Sequence, residues 1–194
     1  KGWEELGEFL NTCRTILDTT SQLILQKFPD PNPEVPFVNE RFHADWTPDQ
    51  QWRWQQNRAV VGHNLKISWN LTRVASYYRV LAEENRDRGR DTQAQQHEMV
   101  ANDFLNLAKK LGDAMAIHGL DQIRGGCFDA VEREPQPNVP IEFTWGNTKD
   151  FWQQEQGILA YLILFGATQD YRYLELAREM EVFWNACFLD HDNR

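Results

Sequence analysis

Long runs with a helical period alternate with long connections that cannot continue a helix, and this alternation restricts the folds open to the chain. Residues 3–28, WEELGEFLNTCRTILDTTSQLILQKF, set Trp3, Leu6, Leu10, Cys13, Leu17 and Leu25 close to a 3.6-residue spacing. The prolines of PDPNPEVP then remove backbone donors and fix φ, so the helix has to stop. The stretch to about residue 58 reads as loop, yet it is dense in rings: Phe42, Trp46, Trp52 and Trp54. A second helix is expected from about Val60 to Glu84, with the stripe Leu71, Val74, Ala75, Tyr78 and Leu81. A third covers 93–118, with Met99, Phe104, Leu107, Leu111, Ala114 and Met115 inward and Gly119 as its C′ residue. GGCFDAVERE reads as a short extended segment, and two more helices follow at 149–167 and 170–188. The pattern predicts an all-α chain of helical hairpins around a common centre, with function on one set of loops.

Composition narrows the partners. The 194 residues carry a net charge of −9 and include eight Trp, eleven Phe and five Tyr. No basic stripe interrupts the acidic surface, so nucleic acid and anionic membranes are not expected partners. No apolar run is long enough to span a bilayer, and KGWEELGEFL lacks the pattern of a signal peptide. Cys13, Cys127 and Cys187 are widely spaced and odd in number, giving neither a zinc pattern nor a disulfide framework; a reducing, cytoplasmic setting is the expectation. No two histidines have metal-ligand spacing and no glycine-rich phosphate loop is present, so neither metal nor cofactor is expected.

Three stretches carry candidate chemistry. In VVGHNLKISWN, His63, Lys66, Ile67 and Asn70 fall on one helical face, a polar patch at the start of an otherwise apolar helix. Where a carboxylate would complete an acid–base pair one turn after His63, Lys66 stands instead. In KDFWQQEQG, Trp152 and Gln156 share a face, and a buried amide there can hold a sugar hydroxyl as both donor and acceptor. In RFHADWTPDQQWRW, the tryptophans suit stacking on a sugar ring, although composition alone favours a loop pinned to the domain by Trp anchors. The plainer alternatives are a packed histidine at a helix start and a solvated first turn.

Taken in order, RFHADW, GHNLKISW, GGCFDAVERE, KDFWQQEQG and FLDHDNR resemble motifs of the N-acylglucosamine 2-epimerase superfamily, which includes cellobiose 2-epimerases and aldose–ketose isomerases. The resemblance runs from about residue 40 onward. It implies an (α/α)6 barrel, an α/α toroid of which residues 1–194 form one partial domain covering the middle and later helices. It also implies proton transfer at the carbon next to a sugar's carbonyl. His63 falls on the family's first-motif histidine as catalytic acid–base. Lys66, Trp69, Trp152, Gln154 and Gln156 fall on positions expected to face the carbohydrate, and a homodimer is compatible with the pattern. Two departures stand out: Lys66 and Gln156 replace glutamates. The alternative implied by those losses is a non-catalytic carbohydrate-binding or interaction domain. His191, near the end, is not assignable as the second catalytic histidine.

Overall fold

The computed structural model describes residues 2–52, 58–133 and 147–190. Trp54, His191 and the proline-rich stretch 135–140 lie outside them. The fold is all-α, an arrangement of packed hairpins resembling part of a helical barrel. Helix α1 spans Gly2–Lys27, α2 Val61–Asp87, α3 Asp91–Ala114, α4 Phe151–Thr168 and α5 Tyr171–Cys187. The hairpins α2–α3 and α4–α5 each close through a tight turn and meet along α2 and α4. Among the described residues, two short strands, β1 (Arg58–Val60) and β2 (Ala130–Glu132), pair antiparallel with Ala59 opposite Val131.

The core is one layer of interdigitated side chains between the hairpins. Leu65, Leu71 and Ala75 of α2 meet Phe104, Ala108 and Leu111 of α3, Tyr161 and Leu164 of α4, and Tyr173 and Met180 of α5. Hydroxyls buried with them are bonded to backbone: the Tyr161 hydroxyl donates to the Gly112 carbonyl at 3.1 Å, and the Ser68 hydroxyl to the Ala108 carbonyl at 2.8 Å.

Several expectations need correction. In α1 only the C-terminal half packs: Leu17, Ile24 and Leu25 lean on the core, whereas Trp3 is 87% exposed and Leu6, Leu10 and Cys13 are also exposed. Periodicity marks a helix and a stripe without saying what covers the stripe. In α3, Met99 faces solvent rather than the core. That helix ends at Ala114 and continues as a π turn, Met115–Gly119, where the Leu120 amide reaches the Met115 carbonyl at 3.1 Å. Gly119 is therefore no left-handed cap. A Cβ there would come within 2.9 Å of Val61, so the glycine admits the start of α2.

Candidate active site

The first turn of α2 is where several parts of the chain converge. The Val61 amide donates to the Asp129 carbonyl at 3.2 Å, and the Gly62 amide to Gln153 Oε1 at 2.7 Å. Gln153 in turn donates to Asp129 Oδ1 at 3.0 Å, and the Asp150 amide and the Thr148 hydroxyl complete the shell of that carboxylate at 2.7 and 2.6 Å. Two of the orphan donors of the helix start are thus satisfied, one by the segment entering β2 and one by α4. Gly62 permits this closeness: a Cβ there would sit 2.7 Å from the Trp152 ring and from Gln153 Cγ.

His63 follows directly, its side chain 46% exposed, with its ring centroid 5.4 Å from that of Trp152. Its Nδ1 lies 2.5 Å from Glu40 Oε2. The Glu40 side chain is only 8% exposed, and its other oxygen accepts the Val60 amide at 2.9 Å. A carboxylate held at the N-terminus of α2 is also favoured by the helix dipole. An ionised carboxylate only accepts, so beside it Nδ1 is the donor, and in the neutral ring that tautomer leaves the lone pair on Nε2. Nε2 has no partner among the described residues. A carboxylate 23 residues upstream of His63 thus stands beside its ring.

A cavity of about 190 Å³ opens beside the pair, lined by Phe28, Glu40, Arg41, His63, Lys66 and Ile67. Phe28 and Ile67 give it an apolar wall. Both oxygens of Glu40 are engaged, while Lys66 forms no ion pair among the described residues. Arg41 lies over the Trp52 ring, 5.9 Å from its centroid. The cavity thus presents two cations and one histidine on a protein of net charge −9. Asn70, on the same face of α2, turns back to the Lys66 carbonyl at 2.8 Å.

The other anticipated residues divide. Trp152 stands over His63. Trp69 and Gln156 bind each other, with the indole N–H donating to Gln156 Oε1 at 2.8 Å, and form a strut between α2 and α4. The neighbouring Glu155 is exposed to solvent. Gln154 is fully buried; its oxygen accepts the Cys127 amide at 2.7 Å, and its nitrogen donates to the Cys127 and Asp150 carbonyls at 2.9 and 3.2 Å, so it faces a backbone segment rather than the cavity. Cys127 is itself enclosed, and burial pushes its thiol well above the usual range, so it is no nucleophile. Lys149 is also structural: it is 2.7 Å from Asp121 Oδ2 and 2.6 Å from the Gly125 carbonyl, with Phe183 across it. Burial alone would raise the Asp121 carboxyl, but the bonds from Lys149 and the Arg124 and Ile123 amides hold it below its ordinary value.

Sequence reasoning missed Glu40. The only local signal was an acid immediately before RFHADW, and nothing in its spacing points to His63. Among the described residues no group of three or more His, Cys, Asp or Glu is placed to hold a metal, and no helix is long and apolar enough to cross a membrane.

No protein-family profile matches the chain, and no curated protein is similar to it in sequence. Among solved structures, a D-mannose isomerase is similar, with a TM-score of 0.49 and 19% identity over 80% of this chain. The match covers 32% of the isomerase, so the chain spans about a third of that enzyme's length.

Proposed function

We propose that this chain carries the acid–base half of a sugar isomerase or 2-epimerase site within a larger α/α barrel. The observation that supports this most is the Glu40–His63 pair at a cavity of monosaccharide scale. Nε2 of His63 removes the proton from the carbon next to the sugar carbonyl. The C–H electron pair moves into the carbonyl, giving an enediolate. Epimerisation follows when a second acid, supplied by the rest of the barrel, protonates the same carbon from the opposite face; isomerisation follows when the proton returns to the neighbouring carbon while the hydroxyl proton passes from O2 to O1. Glu40 keeps the ring in the tautomer that leaves Nε2 basic and stabilises the imidazolium that forms. Trp152 offers an apolar face to the C–H side of the sugar.

A binding-only domain draws its support from the two carboxylates missing at Lys66 and Gln156. Glu40 beside His63 offsets the first of these losses, which favours the catalytic reading.

Lys66 gives the site its selectivity. Unpaired at the cavity wall, it favours a sugar bearing a carboxylate, sulfonate or phosphate. The test is deuterium incorporation at C2 in D2O, followed by NMR for neutral and anionic sugars with the full-length protein. Lys66→Gln is expected to raise KM for an anionic sugar roughly tenfold, equivalent to about 1.4 kcal/mol, with little change for a neutral one. Equal effects on both classes would remove Lys66 from substrate recognition, and no exchange with any sugar would count against the function itself.

A further inference from the structure

Glu40 sits on an irregular strap, residues 28–40, whose prolines prevent any regular element from aligning it. The strap is nonetheless held at almost every turn. The Asn39 amide donates to the Phe28 carbonyl at 2.6 Å, and Val38 pairs with Pro29 as an isolated bridge. The Val38 amide donates to Asn64 Oδ1 at 3.0 Å, which ties it to the residue after His63. On its other side the Val38 carbonyl accepts Arg133 Nη1 at 2.7 Å. The guanidinium, 4% exposed, also reaches the Phe37 carbonyl at 3.4 Å and pairs with Asp30, whose side chain is 6% exposed.

A buried ion pair is a poor source of stability, because the loss of hydration offsets most of the attraction. Arg133 carries a further penalty, since its Nε is buried with no partner among the described residues. What the fork does supply is geometry: one rigid planar group spans Asp30 at the start of the strap and Val38 near its end. Arg133 follows directly on β2, which pairs with β1, and β1 ends at Val60, whose amide holds Glu40. Strap, strand pair and helix start therefore share one reference frame.

We propose that Arg133 is a positioning residue: by latching Asp30 and the Val38 carbonyl it sets the register in which Glu40 meets His63 Nδ1. The kinetic part of its test rests on the reading of His63 as the reacting base; the spectroscopic part does not.

The experiment uses 15N-histidine-labelled full-length protein and records ring 15N–1H correlations with the imidazole neutral. The native protein is expected to show His63 protonated at Nδ1. Arg133→Lys keeps the charge, but a single ammonium cannot span both sites. It is expected to shift His63 toward the Nε2–H tautomer or a mixture, as is Glu40→Gln, and to lower kcat about tenfold with KM little changed. Combining the two substitutions should add little, because both act through one contact. If Arg133→Lys does not fold, Asp30→Asn, which removes the charge that the guanidinium pairs with and one acceptor oxygen, is held to the same expectation. A folded variant of either kind with the native His63 tautomer would reduce Arg133 to a structural role and overturn the proposal. A tautomer shift in a protein that turns over no sugar would support the latch while refuting the catalytic function.

Discussion

His63→Asn is expected to lower C2-proton exchange by about 10²–10⁴-fold, the usual contribution of a positioned acid–base group. KM should change little, because asparagine retains polarity and volume at the cavity wall. The expectation follows from the position of Nε2. It is the one imidazole nitrogen in the cavity left without a partner among the described residues, on a ring whose other nitrogen is fixed by Glu40. Measuring kcat and KM separately on the sugar that exchanges fastest checks this. A loss confined to KM would make His63 a binding residue and pass the proton transfer to another group.

The second large effect concerns stability. Gln154→Leu keeps the approximate volume of a fully buried side chain but removes both bonds to the Cys127 backbone. It leaves an amide and a carbonyl without partners in the interior. At about 1–3 kcal/mol for each such group, the expected destabilisation is about 2–6 kcal/mol. Urea unfolding of the variant beside the native protein measures it. A loss below about 1 kcal/mol would mean that the Cys127 segment finds other partners. The substitution also separates two roles assigned to neighbouring positions of one motif: Gln154 anchors the Cys127 loop, whereas Trp152 stands at the site.

The helices were readable because their apolar positions recur at the helical period, and burial follows that period in α2 at Leu71, Ala75 and Tyr78. The same period misleads in α1, where a stripe exists but only its later half is covered. Met99 fails for a related reason: one position along a helix rotates a side chain by about 100°, enough to carry it from interior to solvent. The extended segment read at GGCFDAVERE contains β2, but its pairing with β1 was beyond reach, since three-residue strands carry no alternation and the paired residues lie seventy or more positions apart.

At the site, the motif stretches named His63 and Trp152, which the fold sets side by side, without revealing what orients them. Local spacing can place a carboxylate only within a turn or so of a histidine along one helix. Glu40 comes from an irregular strap whose path is set by tertiary bonds from Asn64 and Arg133. For the same reason Gln154 looked like a candidate for sugar binding: its chemistry is right, and only the fold shows its amide directed at a backbone segment.

The most direct measurement is the turnover number of Glu40→Gln in the D2O exchange reaction, with thermal unfolding recorded on the same preparation. If Glu40 stands in for the carboxylate missing at position 66, kcat should fall about 10–100-fold with KM near the native value and the fold retained. Native kcat in a folded Glu40→Gln protein would contradict the account, for the Glu40–His63 contact would then be packing and the proton transfer would depend on something else.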